Sequence, residues 1–434
     1  MATLSLWETF VGALQGLVEY HCRMATVVAQ SGNAFPMRIV YIPMFQEDRP
    51  SIIQRPVPDP HSLLRGLRST LPQHSEFQTL AACVQSDPLF QERLEPGGVK
   101  GQAKYVLEGF LYDYFTEVTS HHPHYWQSEV FRQLVDRLRA SLVNGQYTVH
   151  IWIPLYGACV EGDVPWTLDS NTEVVTIDQV QPWDRISRTP TFDGTPDWWQ
   201  QRHWIHARET LAHRASTAPI PDRVRQWVRA MRLVGGGHAR LLDAFWLSTP
   251  GELCPVGVPF ASRAVWNRRE GVPTVVSASQ REAIQDYARR FPTLPNQFNI
   301  ALERWDATAE HWTPEDRLID AVIALENLLL PEQTQELRFK FALRGAWVLG
   351  QAGQARRQWY DRFIALYDAR SAVVHGSQPN TKFRQKDPRH LHQDAEDALR
   401  AVIRRILDGN FTGKRWKQFL GEVVLTGDGE DLPG

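Results

Sequence analysis

The sequence predicts an α+β protein in which a mixed α/β N-terminal domain is followed by a mainly helical region that ends in a four-helix bundle. Alternating, β-branched segments lie in the first half of the chain, and apolar residues recur at helical spacing in the last third. Glycine, proline and aspartate separate these segments. We expect domains at 1–190, 200–310 and 311–420, followed by a disordered tail at 421–434.

The composition is typical of a soluble globular protein. The 434 residues include 43% hydrophobic residues, the mean hydropathy is -0.37 and the formal net charge is -2. No window approaches the roughly 18 uninterrupted apolar residues of a membrane helix. Glu8 precedes any basic residue, which is unlike a signal peptide. We therefore expect a cytoplasmic protein with no membrane partner.

The cysteines and histidines give little support to a cofactor. Cys22, Cys83, Cys159 and Cys254 are scattered without metal-ligand spacing or a dense disulfide framework. The cluster His121, His122 and His124 raises a metal hypothesis, but adjacent loop histidines rarely converge on an ion without further ligands placed by the fold. A metal site is therefore disfavoured, and we expect no cofactor.

The N-terminal domain combines helices and strands. Apolar spacing predicts helices at 4–30, 77–84, 105–115 and 131–142. Alternating β-branched residues predict strands at 37–42, 147–153 and 172–177. Proline and aspartate predict loops at 46–62 and 249–260, and a linker at 188–200.

The middle region, from Trp204 to about Ala309, is predicted to be mainly helical, and Arg208 and His213 are placed in one of its helices. It contains the run Gly235-Gly236-Gly237. A glycine run can hold phosphate when it connects a strand to a helix N-terminus. Because this run follows a predicted helix, a plain turn is the favoured interpretation.

Four predicted helices form the C-terminal bundle. Thr313, Pro314 and two following acids indicate the start of the first helix, and Pro331 follows its end. The second helix carries Leu337 to Val348, the third Trp359 to Val374, and the fourth follows Pro388 and ends at Gly409. Short connections between amphipathic helices favour an antiparallel bundle.

The third helix carries the main functional candidates, Arg370 and His375, in the stretch Tyr367 to Gly376. Their spacing alone is weak evidence. Other Arg and His residues lie at comparable intervals: Arg68…His74, Arg208…His213, Arg232…His238, Arg304…His311 and Arg384…His390. A helix-end salt-bridge pair is the structural alternative, so the flanking residues must support the functional interpretation.

Those flanks resemble the Apea-like HEPN domain family of the HEPN ribonuclease superfamily. The matching segments between about Pro314 and Leu407 are Asp316-Arg317-Leu318-Ile319-Asp320, Ala324-Leu325-Glu326-Asn327-Leu328-Leu329, Leu366-Tyr367-Asp368-Ala369-Arg370-Ser371 and Val374-His375-Gly376. Two departures are visible. Ser371 occupies a place where many of these ribonucleases have Asn, Asp or His, and Ser377 replaces the Tyr that is modified in a toxin subgroup.

The resemblance implies a metal-independent endoribonuclease that cleaves single-stranded RNA, with Arg370 and His375 as catalytic residues. It also implies a homodimer in which two Arg/His pairs meet, and a toxin-like or antiviral abortive-infection effector with a phage-derived or antitoxin-like protein trigger. We expect supporting roles for Ser371, Glu326 and Asp368. Fourteen Lys and Arg oppose seven Asp and Glu between Gly353 and Lys417. From this excess, we expect the basic loop after His375 to bind the RNA backbone through Lys382, Arg384, Lys386 and Arg389.

The alternative is a non-catalytic HEPN module that binds RNA, a nucleotide or a protein partner. The intact Arg/His pair favours the enzyme, because a neutral His can accept the proton of the RNA 2′-OH and an Arg can bind two phosphate oxygens. On an ideal helix, five residues turn by about 140° and rise by about 7.5 Å, so the two side chains of one chain do not share a face. Residues 1 to about 200 are expected to act as a sensor or a restraint and to contribute no catalytic group, because no nucleophile or metal constellation is visible there.

Overall fold

The described part of the chain contains helices and a mainly antiparallel sheet, which confirms the α+β class. The computed structural model describes residues 5–30, 37–46, 49–58, 73–94, 99–118, 126–180, 201–213, 219–241, 243–253, 261–262, 273–311, 313–331, 335–350, 353–375 and 388–426. The helices are α1 Leu6–Gln30, α2 Ser75–Ser86, α3 Pro88–Arg93, α4 Val99–Val118, α5 Ser128–Asn144, α6 Pro219–Gly235, α7 Arg281–Arg290, α8 Asn299–Glu310, α9 Pro314–Leu329, α10 Leu337–Leu349, α11 Gln354–His375, α12 Pro388–Asp408 and α13 Gly413–Thr426. The strands are β1 Met37–Gln46, β2 Arg49–Pro58, β3 Gln146–Tyr156, β4 Ala158–Val160, β5 Trp166–Asp169, β6 Thr172–Thr176, β7 His203–Ala212, β8 Arg240–Leu241, β9 Asp243–Ser248, β10 Ala261–Ser262 and β11 Thr274–Val276.

The chain divides into two compact units that alternate along the sequence. Unit 1 comprises Met1–Pro154, Val164–Pro221 and Leu242–Ala264, and unit 2 comprises Leu155–Asp163, Asp222–Leu241 and Val265–Gly434. Each unit is therefore built from separate segments of the chain, whereas the predicted domains follow one another with boundaries near 190 and 310. The predicted linker at 188–200 and the cluster His121, His122 and His124 lie outside the described residues.

Unit 1 combines a helical core with a sheet. Helices α1 to α5 contribute to one hydrophobic cluster that includes Phe10, Leu14, Phe77 and Leu107, as the apolar spacing of these segments requires. The strands run in the order β10-β9-β3-β7-β6-β5, and each neighbouring pair is antiparallel. The predicted strands at 147–153 and 172–177 are thus confirmed as β3 and β6.

Three segments of unit 1 differ from the helices and loops that the sequence predicts. The helical interpretation of Arg208 and His213 is wrong, because 203–212 forms β7 between β3 and β6. Residues 203–205 are all buried, and burial alternates only from residue 205 onward. Phe245 and Trp246 belong to strand β9, not to a helix. Residues 49–58, predicted as a loop, form β2 and pair only with β1 in a two-stranded sheet. Proline is tolerated in such an edge strand, because an edge needs fewer ladder N–H donors.

His213, directly after β7, is a buried histidine held neutral. Its Nε2 lies 3.1 Å from the Ser141 hydroxyl, which donates to the Gln146 carbonyl, so His213 donates and Ser141 accepts. Its ring also stacks on Tyr147 at a centroid distance of 5.7 Å. Burial, and to a lesser extent the charge of Arg93, lower the pKa of His213 to about 4. The imidazole therefore stays neutral in the folded protein at pH values where it would be protonated in the unfolded chain.

We expect unit 1 to lose stability on mild acidification because of His213. Between about pH 6.5 and 4 the unfolded chain binds a proton that the folded protein excludes, which destabilises the fold by about 2 kcal/mol after solvent screening. Urea unfolding at pH 7.5 and pH 5 would measure this change, with His213→Gln as the non-titrating control. The stability gap between wild type and variant should shrink at the lower pH. An equal gap at both pH values would contradict the assignment.

Unit 2 contains the predicted C-terminal helices. Each of the four helices α9, α10, α11 and α12 packs against the other three, and α8 and α13 pack against members of this group. Thr313 caps α9 by accepting a hydrogen bond from the Asp316 backbone N–H, and Pro314 occupies its first turn, as predicted. Residues 421–426, predicted to belong to a disordered tail, form the end of α13, and residues 427–434 lie outside the described residues.

The glycine run of unit 2 is a turn. It follows α6, and Gly236 and Gly237 adopt φ values of +70° and +68°, which glycine reaches without steric strain. A Cβ on Gly237 would also lie 2.5 Å from the backbone of Pro273 and Thr274. Close backbone approach thus explains the glycine at this position.

Candidate functional site

Arg370 lies near the C-terminal end of α11, where α9 packs against it. Its side chain is half-buried, and Nη2 lies 3.8 Å from Oε2 of Glu326 on α9. Its Nε is buried and has no hydrogen-bond partner among the described residues. Within the described residues the guanidinium is therefore held by one loose ion pair, and its side chain remains partly exposed.

Glu326, one of the residues expected to have a supporting role, lies close to Arg370. Burial raises the pKa of the Glu326 carboxyl above its ordinary value, and the nearby Arg370 guanidinium opposes that rise. At 3.8 Å the pair attracts without a well-formed hydrogen bond. Glu326 can thus orient Arg370 without occupying its whole hydrogen-bonding edge.

His375 is the last residue of α11 and its side chain is exposed. Within the described residues, neither His375 nor the half-buried Ser371 has a hydrogen-bond partner. The same helix separates His375 from Arg370 by five residues, so the two side chains leave it in directions about 140° apart. An exposed imidazole can exchange protons with a bound substrate, but one chain does not aim both groups at one face.

Asp368 does not orient Arg370. Its two carboxylate oxygens accept hydrogen bonds from Nε and Nη2 of Arg338 on α10, at 2.6 and 2.7 Å. This bidentate hydrogen bond raises the pKa of Arg338 above its ordinary value. The predicted supporting role of Asp368 is therefore replaced by a cross-link between α10 and α11. The sequence shows no sign of this partner, which lies thirty positions earlier.

The predicted basic segment lies mostly outside the described residues. This applies to Lys382, Arg384 and Lys386. The backbone of Arg389 lies in the first turn of α12, not in a loop. Proline suits the first position of a helix, which explains why Pro388 begins this helix.

Other Arg/His pairs at similar spacing are engaged in structural contacts. Arg304 and His311 both bind Asp320, at 2.8 and 2.7 Å. The carboxylate of Asp320 is buried, with 4% of its side chain exposed, and each partner contacts one of its two oxygens. This pair stabilises the contact between α8 and α9.

In two further pairs, the Arg and the His do not act together. Arg232 is buried and donates to the Trp305 carbonyl and the Thr308 hydroxyl, whereas His238 lies 2.8 Å from Glu396. Arg208 is exposed on β7 while His213 is buried, as described above. The described Arg/His pairs thus differ in burial and contacts. The pair Arg370 and His375 combines a half-buried guanidinium with an exposed imidazole.

No group of three or more His, Cys, Asp or Glu side chains in the described ranges is arranged to hold a metal ion. The helices of those ranges include none with the length and apolarity needed to cross a membrane. Comparison of the chain with protein-family models, curated proteins and solved structures finds no match.

Proposed function

We propose that the protein is a metal-independent endoribonuclease of HEPN type, in which Arg370 binds the scissile phosphate and His375 transfers a proton. The observation that carries this proposal is the half-buried Arg370, held within the described residues by one loose ion pair, on the same helix end as an exposed His375. The resemblance of the flanking segments to the Apea-like HEPN family supports the same assignment and suggests a defence or toxin-like effector.

RNA supplies its own nucleophile in this reaction. The 2′-oxygen attacks the adjacent phosphorus, the bond from phosphorus to the 5′-oxygen breaks, and a 2′,3′-cyclic phosphate and a 5′-OH remain. One imidazole accepts the 2′-OH proton or donates a proton to the leaving 5′-oxygen. The Arg370 guanidinium binds two phosphate oxygens and stabilises the negative charge that develops on them. In the proposal, Lys382, Arg384, Lys386 and Arg389 contact neighbouring phosphates without reading sequence.

Purified protein is expected to cleave single-stranded RNA in the presence of EDTA. The expected products carry 2′,3′-cyclic phosphate and 5′-OH ends, because the attacking group belongs to the substrate. Electrophoresis of a labelled oligonucleotide, with enzymatic end analysis, measures both features. Loss of cleavage on chelation would contradict metal independence. Binding of RNA without any cleavage would support the non-catalytic alternative.

A second copy of the chain completes the site in this proposal. Each copy contributes one Arg/His pair whose members point about 140° apart, so a composite cleft needs the Arg of one copy and the His of another. Two large apolar side chains are exposed at the same end of the α10–α11 pair: Phe339 at 52% and Val374 at 49%. The Arg338–Asp368 hydrogen bonds fix this end, because they join the start of α10 to the last turns of α11. We refer to Phe339 and Val374 as the apolar end patch.

We expect the double variant Phe339→Ser, Val374→Ser to weaken self-association by at least about tenfold, equivalent to ~1.4 kcal/mol, and to lower cleavage in parallel. Ile300→Ser is the matched control, since Ile300 on α8 is 55% exposed and lies outside the apolar end patch. Analytical ultracentrifugation over a range of concentrations measures the effect. A strictly monomeric wild type with full activity would exclude a composite site.

A further inference from the structure

Two histidine rings on one face of the sheet of unit 1 are hydrogen-bonded to each other. Nδ1 of His150 on β3 lies 3.0 Å from Nε2 of His206 on β7. The two rings are nearly parallel, with their planes 4° apart. Trp152, two residues after His150 on β3, stacks on the His206 ring at a centroid distance of 3.9 Å. The sheet and the indole therefore hold both imidazoles in defined orientations.

A carboxylate and a hydroxyl extend this contact at its two ends. Oε1 of Glu173 on β6 lies 2.9 Å from Nδ1 of His206. The Thr249 hydroxyl, directly after β9, lies 3.4 Å from Nε2 of His150. All four ring nitrogens thus have a hydrogen-bond partner, and the four side chains form one hydrogen-bonded chain across β6, β7, β3 and the end of β9.

The carboxylate sets the direction of every hydrogen bond in this chain. An ionised carboxylate only accepts, so His206 donates from Nδ1, and the Nε2 of its neutral ring accepts. His150 must then donate from Nδ1, which leaves its Nε2 to accept from the Thr249 hydroxyl. Both neutral imidazoles therefore carry their proton on Nδ1.

One added proton fits this chain, whereas a second does not. When His150 is protonated on Nε2, it donates to the Thr249 oxygen and still donates to His206 from Nδ1. A second proton has only Nε2 of His206 to occupy, where it would face the N–H of His150 across 3.0 Å. Two donors do not hydrogen-bond with each other, and two cations at this separation repel.

The charged groups around the pair favour the same limit. Arg208 on β7 is the register partner of His150, so it lies on the same face of the sheet and adds a like charge. Glu252, which follows β9 and accepts a hydrogen bond from the β3 backbone, is offset by the charges of Arg137 and Arg208. Among the described residues, Glu173 is the carboxylate bonded to the pair, and it balances one positive charge, not two.

We propose that His150 and His206 form a pH-sensitive pair, which holds one proton between Glu173 and Thr249 and separates when acidification adds a second. Separation would remove the side-chain link between β3 and β7. It would also loosen the turn that follows β9, whose backbone binds side chains of α4 and α5. The pair lies wholly in unit 1, so its behaviour does not depend on whether the protein cleaves RNA.

The dependence of stability on pH counts the excluded proton. Below about pH 6.5, the two unfolded histidines bind two protons and the folded pair binds one, so each pH unit of acidification should lower the folding equilibrium constant about tenfold. His150→Gln and His206→Gln should each remove this whole contribution, since the remaining imidazole is protonated without an opposing donor. The double variant should remove no more than either single variant. Urea unfolding of the full chain at pH values from about 7.5 to 5 measures all four proteins.

The three variants distinguish this pair from two independent histidines. If both histidines were held neutral by the fold, each single variant would lose half of the dependence and the double variant all of it. If both titrated freely, the variants would show the same dependence as the wild type. Either result would overturn the proposal. His213 and Glu252 are kept in every variant, so their own pH dependence cancels in the differences.

A second measurement is made on the wild-type protein. Nitrogen chemical shifts of histidine-labelled protein at about pH 8, where imidazoles are neutral, report which ring nitrogen carries the proton. The signals of both His150 and His206 should show the proton on Nδ1, and the single variants assign those signals by their loss. A proton on Nε2 of either ring would contradict the hydrogen-bonded chain and with it the proposed pair.

Discussion

Replacing His375 with alanine is expected to lower the rate of RNA cleavage by about 10²–10⁴-fold, the usual contribution of a positioned general acid or base. The side chain is exposed at the end of α11 and has no hydrogen-bond partner among the described residues, so its removal should leave the fold intact. Single-turnover cleavage at saturating RNA measures the chemical step. Circular dichroism confirms that the variant is folded.

The matched control is His311→Ala. His311 belongs to an Arg/His pair of similar spacing, but its Nε2 binds Asp320 and its role is structural. Arg304 still occupies the other Asp320 oxygen after this change. Cleavage by His311→Ala should therefore stay near the wild-type rate. Comparable losses in both histidine variants would contradict the catalytic assignment of His375.

Arg370 is expected to behave differently from a general cation. Arg370→Lys keeps the positive charge but loses the planar pair of donors, so it should recover only part of the activity lost in Arg370→Ala. Glu326→Gln tests the positioning role of Glu326 separately. Its effect should appear in the pH profile of cleavage, because the pKa of the Glu326 carboxyl is raised by burial and only the native residue titrates.

The helices around the candidate site could be predicted because their sequence signals are local. Thr313 and Pro314 mark the start of α9, and apolar spacing identifies α10, α11 and α12 without knowledge of their partners. Such features are carried by residues within a few turns of one another.

The errors concern features that depend on distant parts of the chain. Strand β7 is fixed by pairing with β3 and β6, and its aromatic and apolar residues also fit a helix when read alone. The sequence pattern places Asp368 on an exposed helix face, but both of its carboxylate oxygens accept hydrogen bonds from Arg338 on another helix. No local period specifies these contacts.

A second large effect is expected from Asp306→Ala, which should destabilise the protein by about 3–5 kcal/mol. Asp306 on α8 accepts hydrogen bonds from Nε and Nη2 of Arg229, the shortest at 2.6 Å, and lies 3.6 Å from Nη1 of Arg232. Both arginine side chains are almost fully buried, at 7% and 3% exposure. Burial lowers the pKa of Arg232, and Asp306 opposes that shift most strongly. Removing the carboxylate leaves two desolvated cations facing each other.

The surface pair Arg357–Asp361 provides the matched control for this prediction. Its atoms approach to 3.2 Å, but both side chains are well exposed, so Asp361→Ala should change stability by less than about 1 kcal/mol. Urea unfolding of the two variants gives the comparison. Adding Arg229→Met to Asp306→Ala should recover part of the lost stability, because the added variant removes one uncompensated charge. If Asp306→Ala and Asp361→Ala lowered the free energy of unfolding by the same amount, groups other than Asp306 would have to neutralise the buried arginines.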